Sequence, residues 1–182
     1  MEQINNKTIY WCLFLYGQWK MYIAATSKGL CYVGSPNKEK DEFTKWANTK
    51  LPEYSLVQDE EMLQSYVNEF IEYFQGQRKK FTIPVDIQGT EFQKSVWNAL
   101  NEISYGTTHS YSDIAEILQK PKSVRSVATA IGANPVLITI PCHRVIGKNG
   151  SLTGYRGGIE IKRQLLALEN GSSDIKEGIK HA

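Results

Sequence analysis

The sequence predicts an α/β N-terminal domain, a short antiparallel sheet plus helices, joined to a mainly α C-terminal domain that contains a helix-turn-helix. Before Gly89 the chain is rich in β-branched and aromatic residues interrupted by glycines, whereas helix start signals dominate after it. The polar, turn-prone segment 75–80 precedes this change. We therefore expect domains at residues 1–85 and 86–182.

The first half predicts a small meander covered by a helix. Residues 9–16, 20–25 and 30–33 have the composition of short antiparallel strands, separated by turns at Gly17 and Gly29. Between Asp59 and Phe74, apolar residues recur at helical spacing. This pattern predicts an amphipathic helix on one face of the sheet.

Helix start signals define the second half. Thr90 and Gln93 form a capping box ahead of a helix of about four turns, whose apolar stripe reaches Ile103. The segment 110–113 repeats the capping pattern, and Ser123 can cap the helix after it. Two short helices joined by a tight turn predict a helix-turn-helix.

The second helix of this pair has the features of a DNA-reading helix. Arg125 near its start can reach outward, and the small residues Ser126, Ala128 and Thr129 allow close approach to a partner. A helical hairpin that only packs in the core is the alternative. Eight basic residues lie between Lys120 and Arg163 against one acidic residue, which suits nucleic acid or, equally, a solvated basic face.

Composition excludes other classes. With 41% hydrophobic and 22% charged residues, the chain is typical of a folded soluble protein. No stretch approaches the roughly 18 apolar residues that span a bilayer, and no signal-peptide pattern is seen. Its three cysteines are too few for a disulfide framework. We expect a cytoplasmic protein with free thiols and no membrane partner.

The candidate reactive group is Cys142. An apolar run, residues 136–140, predicts a buried strand that ends just before Cys142 and His143. A free thiol needs a base or a positive field to attack at neutral pH, and His143 and Arg144 offer both. Neighbouring side chains on a strand point apart, so the pair requires a turn or a bridging water. A Cys that merely packs is the alternative.

The segment after Cys142 holds further candidates. A glycine-rich loop carries one aromatic residue, Tyr155, and a helix is predicted over residues 159–170. Glu169 lies in the last turn of that helix, where a carboxylate meets the negative end of the helix dipole. A histidine partner would compensate this cost, and a solvent-facing Glu that tolerates it is the alternative.

Three strings in this half carry a family resemblance. They are Pro141-Cys142-His143-Arg144-Val145, Gly154-Tyr155-Arg156-Gly157-Gly158 and Leu166 to Glu169. With them the chain closely resembles the O6-alkylguanine-DNA alkyltransferases, also called methylated-DNA-protein-cysteine methyltransferases. The resemblance covers residues 90–171 continuously and the N-terminal half more loosely.

The resemblance implies single-use repair of double-stranded DNA. The Cys142 thiolate would take a methyl or other alkyl group irreversibly from O6-alkylguanine, or O4-alkylthymine, in a base flipped out through the minor groove. His143 would take the thiol proton through a water, Glu169 would orient His143, and Asn134 would brace the turn that presents Cys142.

The resemblance also assigns binding residues. Tyr111 would contact the flipped base and the adjacent phosphate, and Arg125 would fill the space that the base leaves. The remaining positions are DNA contacts at Ser126, Ala128 and Thr129, guanine contacts through the backbone of Val145 and Arg156, and a pocket wall at Tyr155. Lys162 would help to protonate or steady the departing guanine. Arg156 stands where a small residue is expected, which leaves the room for bulky alkyl groups open.

We expect no cofactor and no metal. A sulfur nucleophile that attacks an sp³ carbon needs no oxyanion hole and no metal. Cys12 and Cys31 have no nearby histidines to complete a zinc site. We expect a monomer that can bind DNA cooperatively.

Three alternatives stay open. A damage-recognition protein of the alkyltransferase-like group binds the same lesions but lacks the thiol, and the complete Cys142 motif argues against it. A cysteine hydrolase would use Cys142, His143 and Glu169 as a triad, but no oxyanion site is evident. A helix-turn-helix regulator would bind DNA without alkylation of Cys142.

Overall fold

The structure, a computed structural model, describes residues 7–171 of the 182 in the chain. The first half contains strands β1 (Thr8–Tyr16), β2 (Trp19–Thr26), β3 (Gly29–Val33) and β4 (Ser55–Gln58), and helices α1 (Lys40–Lys50) and α2 (Gln64–Phe74). The second half contains α3 (Glu91–Asn101), β5 (His109–Ser110), α4 (Tyr111–Ile117), α5 (Val124–Gly132), a 3-10 helix (Cys142–Arg144), β6 (Val145–Ile146) and α6 (Ile159–Glu169).

The N-terminal sheet has the strand order β3-β2-β1-β4. The three predicted strands are confirmed as an antiparallel meander, and β4 joins it in parallel to β1. We did not predict β4, because this short edge strand is mostly exposed and carries little apolar pattern. Nor did we predict α1, which buries only Phe43 and Ala47.

Helices cover both faces of the sheet. Phe43 of α1 packs with Trp11 on one face, and Phe70 and Phe74 of α2 pack with Phe14 on the other. The second helix was predicted from Asp59, but it begins at Gln64, because the Asp59 carboxylate accepts a hydrogen bond from the Met62 N–H and closes a turn first.

The C-terminal half confirms the helix-turn-helix. Capping boxes begin both α3, at Thr90, and α4, at Ser110. The first of these helices ends at Asn101, sooner than predicted, and Ile103 is buried beyond it. Ser123 occupies the N-cap position of α5, but its side chain makes no capping hydrogen bond, so that part of the prediction was wrong.

The predicted strand over residues 136–140 was also wrong. Val136 forms only an isolated bridge with Val33, and the chain then turns, with Ile138 at a φ of 71°. Hydrogen bonds from Thr139 N to Leu137 O and from Ile140 N to Val136 O close this turn. A short apolar run signals burial but not backbone shape, because a buried turn and a buried strand both need apolar side chains.

One apolar core joins the two halves. The face of the sheet that α2 covers continues into residues of α3, α5 and α6, which include Trp97, Val127 and Leu165. The Trp97 indole N–H donates to Ala130 O at 2.8 Å and ties α3 to α5. Among the described residues, no helix is long and apolar enough to cross a membrane.

Candidate functional site

The buried turn presents Cys142 at the start of a 3-10 helix. Asn134 holds this turn from inside: its Nδ2 donates to Ile140 O at 2.9 Å and to Cys142 Sγ at 3.2 Å. Its Oδ1 accepts from Val136 N at 2.9 Å. Because one amide bonds both ends of the turn and the sulfur, it fixes where the thiol points.

His143 follows in the same 3-10 helix and faces Glu169 of α6. The Nε2 of His143 lies 2.7 Å from Glu169 Oε1, and both side chains are fully buried. Arg144 donates to the same carboxylate through Nε, at 2.9 Å to Oε2, and through Nη2, at 2.8 Å to Oε1. The Tyr73 hydroxyl of α2 also donates to Oε1, at 2.8 Å.

These donors keep Glu169 ionised. Burial acts to raise its pKa, but hydrogen bonds from His143 and Arg144, together with the Arg144 charge, lower the pKa to about 2. Burial lowers the pKa of His143, and the bond to Glu169 opposes this only in part. An ionised carboxylate only accepts hydrogen bonds, so Nε2 of the neutral imidazole carries the proton.

The other imidazole nitrogen is therefore a base. Nδ1 of His143 is buried and makes no hydrogen bond within residues 7–171. In this tautomer Nδ1 has a free lone pair. Its residue, His143, directly follows Cys142 in the chain. The arrangement can accept a proton from the thiol.

The thiol is protonated at rest. Burial raises the pKa of Cys142, while the hydrogen bond from Asn134 and the charges of Arg156 and Lys162 act to lower it. We predicted that Arg144 supplies the positive field. Instead its guanidinium faces away, bound to Glu169 and, through Nη1, to Ile103 O at 2.7 Å.

A cavity of about 660 Å³ opens over Cys142. Its walls come from α4, α5, the Cys142 turn and the glycine-rich loop. The residues that line it are Tyr111, Val124, Arg125, Ala128, Ile131, Gly132, Leu137, Cys142, Thr153, Gly154, Tyr155 and Arg156. The cavity lies beside the exposed face of α5, which carries Arg125, Ser126 and Thr129. Ser126 and Thr129 do not line it.

Lys162 lies below the loop. Its ammonium group is buried and donates to Val145 O at 2.5 Å, Thr153 O at 3.0 Å and Gly154 O at 3.4 Å. The Tyr111 hydroxyl also donates to Thr153 O, at 2.9 Å. Three acceptors match the three ammonium protons, so proton delivery by Lys162 would require the loss of one of these bonds.

The side chain of Arg156 turns away from the cavity towards the N-terminal half. Its Nη1 donates to Glu42 Oε1 at 2.8 Å. This contact was not predicted, and neither was that of Tyr73 with Glu169. The sequence carries no local signal for either, because the partners are 114 and 96 residues apart.

Cys12 and Cys31 lie apart from the site, in core clusters on opposite faces of the sheet. Burial raises the pKa of Cys12 to about 11 and that of Cys31 to about 12. Within residues 7–171, no group of three or more His, Cys, Asp or Glu side chains could hold a metal ion.

A helix-turn-helix beside a cavity with a thiol at its floor defines a protein class: a DNA-binding protein with a candidate nucleophilic cysteine. Two family models match the chain. The DNA-binding domain of 6-O-methylguanine DNA methyltransferase matches residues 91–171, and its ribonuclease-like domain matches residues 9–87. The chain belongs to the 6-O-methylguanine DNA methyltransferase family.

Individual relatives match over nearly the whole chain. The inducible methylated-DNA-protein-cysteine methyltransferase of Bacillus subtilis is 56% identical over 94% of this chain and 96% of its own length. A methylated-DNA-protein-cysteine methyltransferase of Methanosarcina acetivorans is 41% identical over 88% of this chain and 98% of its own.

Solved structures agree. The O6-methylguanine methyltransferase of Mycobacterium tuberculosis aligns with a TM-score of 0.78 and 33% identity over 91% of this chain and 95% of its own. The Mycobacterium tuberculosis OGT structure in complex with DNA aligns with a TM-score of 0.78 and 31% identity, over 95% of this chain and 99% of its own.

Proposed function

We propose that the chain repairs double-stranded DNA by moving a methyl or other alkyl group from O6-alkylguanine, and from O4-alkylthymine, to Cys142. The observation that carries this proposal is the position of the Cys142 thiol at the floor of a cavity beside α5, with a neutral His143 next to it. The family and its DNA-bound relative support DNA as the partner.

The transfer is a single displacement. His143 Nδ1 takes the thiol proton through a water, and the thiolate attacks the alkyl carbon. The S–C bond forms as the C–O6 bond breaks, and the electron pair of the broken bond stays on the guanine, which takes up a proton to become neutral. The thioether is stable, so each molecule acts once.

Glu169 and Asn134 prepare this step. The carboxylate fixes the His143 tautomer and stabilises the imidazolium that forms when the proton arrives. The amide of Asn134 donates to the sulfur and so favours the thiolate. Neither residue touches the lesion: Glu169 acts through His143, and Asn134 acts through the turn and the sulfur.

The flipped base enters between α5 and the loop. Tyr111 contacts it and the adjacent phosphate, and Tyr155 forms one wall. The backbone of Val145 and Arg156 reads the guanine edge. Lys162 holds the carbonyls of Val145, Thr153 and Gly154 and helps to protonate or steady the departing guanine. Extrusion costs a few kcal/mol, and Arg125 offsets part of this cost by filling the gap.

The face of α5 binds the minor groove. Arg125, Ser126 and Thr129 are exposed there, and Ala128 lines the cavity mouth. Small side chains on this face let the helix backbone approach the duplex closely. Sequence readout is not required, since phosphate contacts supply most of the affinity.

We extend the proposal to a cytoplasmic monomer that can bind DNA cooperatively and needs no cofactor. We place the domain boundary after residue 85. Separate family matches to residues 9–87 and 91–171 support a boundary in this region.

Intact-protein mass spectrometry, with peptide mapping, tests the function. The protein is mixed with a duplex that contains one O6-methylguanine. We expect one added methyl group per molecule, on Cys142. An unmodified protein that still binds the duplex would indicate a damage-recognition or regulatory protein instead.

A further inference from the structure

The Arg156 side chain crosses from the pocket loop to the N-terminal half. Its Nη1 donates to Glu42 Oε1 at 2.8 Å, and its Nη2 donates to Val33 O at 2.8 Å. The guanidinium also lies over the Tyr32 ring, 5.4 Å from its centroid. One side chain thus ties the loop to the other half of the molecule.

Glu42 is held in place to receive it. Its Oε1 also accepts from the Tyr32 hydroxyl and from Ser35 N, each at 2.8 Å. Burial acts to raise the pKa of Glu42, but hydrogen bonds from Ser35 and Tyr32 and the charge of Arg156 outweigh it and lower the pKa. The carboxylate is therefore charged at neutral pH, and the pair is part-buried rather than a freely solvated surface pair.

The Arg156 guanidinium also contacts Asn134, the residue that positions the thiol. Nη2 of Arg156 donates to Asn134 O at 3.2 Å. The side chain of Asn134 donates to Cys142 Sγ at 3.2 Å. A single residue therefore connects Arg156 with the sulfur.

The loop that contains Arg156 has other anchors as well: the Tyr111 hydroxyl donates to Thr153 O at 2.9 Å, and the Ser35 hydroxyl donates to Arg156 O at 3.3 Å. Gly154 and Gly158 adopt φ values of 51° and 95°, which favour glycine, so no side chain holds the backbone at these points. Lys162 binds the loop just before Tyr155, through the carbonyl of Gly154. The Arg156 side chain anchors the loop just after Tyr155. The Tyr155 wall is thus held between two basic side chains.

We propose that the Arg156–Glu42 ion pair is a latch that positions the Tyr155 wall and the Asn134–Cys142 contact for alkyl transfer. Glu42 and the Arg156 side chain are positioning residues in this role. The inference rests on the proposed function and adds to it a contribution from the N-terminal half. Glu42 does not line the cavity, so its loss affects the transfer step more than DNA affinity.

Single-turnover kinetics test the latch. Methyl transfer from an O6-methylguanine duplex is measured with increasing excess of protein, which separates the rate at saturation from the affinity. We expect Glu42→Gln to lower the saturating rate about tenfold or more, since a misplacement near 1 Å can cost that much, and to leave the affinity within about twofold.

Asp41→Asn is the matched control. Asp41 lies in the same first turn of α1, and its carboxylate pairs with exposed Lys45. We expect its transfer kinetics to equal those of the wild type. An equal loss in Asp41→Asn, or a loss in Glu42→Gln confined to affinity, would overturn the latch.

A double-mutant cycle supplies the second test, and thermal melts identify any variant that does not fold. If the pair acts as one unit, Glu42→Gln with Arg156→Ala is no slower than Arg156→Ala alone. Arg156→Lys, which keeps the charge but not the planar fork, should recover only part of the rate. Additive losses or full recovery by Lys would contradict the proposal.

The two proposals fail in different ways. A wild-type protein that takes up no methyl group removes the proposed function itself. A wild type that transfers normally, with a Glu42→Gln variant of equal rate at saturation, removes the latch alone.

Discussion

The N-terminal sheet and the Cys142 turn bury the same kind of side chain in different surroundings. Cys12 and Cys31 lie among apolar side chains, and burial raises the pKa of these thiols to about 11 and about 12. Cys142 is also buried, but Asn134 donates to its sulfur and two cationic side chains lie near it. Burial alone does not decide whether a thiol is inert; the polar groups around it do.

The comparison fails if a sheet cysteine can replace Cys142. We expect Cys142→Ala to abolish methyl transfer and to keep DNA binding, because the α5 face is unchanged. Cys12→Ala should transfer at the wild-type rate. Mass spectrometry after incubation with an O6-methylguanine duplex, with a gel-shift assay for binding, measures both. A methylated Cys142→Ala protein would mean that another group reacts.

Glu169 sharpens the comparison, because it bonds the histidine that follows Cys142, whereas Cys12 and Cys31 have no histidine nearby in the sequence. Glu169→Gln removes the ionised acceptor that fixes the His143 tautomer. We expect the single-turnover rate to fall by about 10²–10³, within the usual contribution of a general base. The variant should also be less stable by roughly 3 kcal/mol, since it leaves the buried Arg144 charge uncompensated.

Acid unfolding tests the same carboxylate in the wild type. Its pKa is lowered from 4.5 to about 2, so its contribution to stability is present above pH 4.5 and is lost as the pH falls towards 2. The lowered pKa of His143 acts in the same direction below its ordinary value of 6.5. Urea unfolding at several pH values should show a shallower loss between pH 4.5 and 2 for Glu169→Gln; equal slopes would contradict this assignment.

Arg125 tests the DNA face separately from the chemistry. Arg125→Ala should slow transfer from a duplex by about tenfold, because filling the vacated stack offsets part of a flipping cost of a few kcal/mol. Transfer from the free base O6-methylguanine, which needs no flipping, should change little. Arg163→Ala, which removes an exposed arginine of α6 that does not line the cavity, is the control. An equal loss on both substrates would place Arg125 in the pocket chemistry instead.

The fold was predictable where its signal is local. Capping boxes at Thr90 and Ser110 and the β-branched and aromatic composition of the first three strands are local features, and these elements were found. Helix α1 and strand β4 bury few side chains and leave a weak pattern. Residues 136–140 were predicted to form a strand because they are apolar. A buried turn requires the same apolar side chains, so the sequence alone does not separate the two.

The site was predictable in its chemistry but not in its connections. Cys142 and His143 are adjacent in sequence, whereas the position of Glu169 at a helix end allowed either a histidine partner or exposure to solvent. The glycine-rich loop was predicted from its residues, and the roles of Asn134 and of that loop were implied by the family resemblance. The contacts of Tyr73 and Glu42 join residues far apart in sequence, and packing of the two halves creates them.

Tyr73→Phe measures the smallest of these effects: how much the N-terminal half contributes to the site. The ring stays in the core, and only the hydrogen bond to Glu169 is lost. A hydrogen bond to a charged group stabilises by about 1.5–3 kcal/mol, and we expect a loss near the lower end, because His143 and Arg144 still bond the same carboxylate. The transfer rate should fall only a few fold.

Tyr66→Phe is the control, because Tyr66 lies two turns earlier on the same helix and is only partly buried. Urea unfolding should separate the two variants. If Tyr73→Phe is as stable and as fast as Tyr66→Phe, the C-terminal half holds Glu169 by itself. If it differs as expected, the sheet domain stabilises the charge behind the reactive cysteine, although its own cysteines take no part in the chemistry.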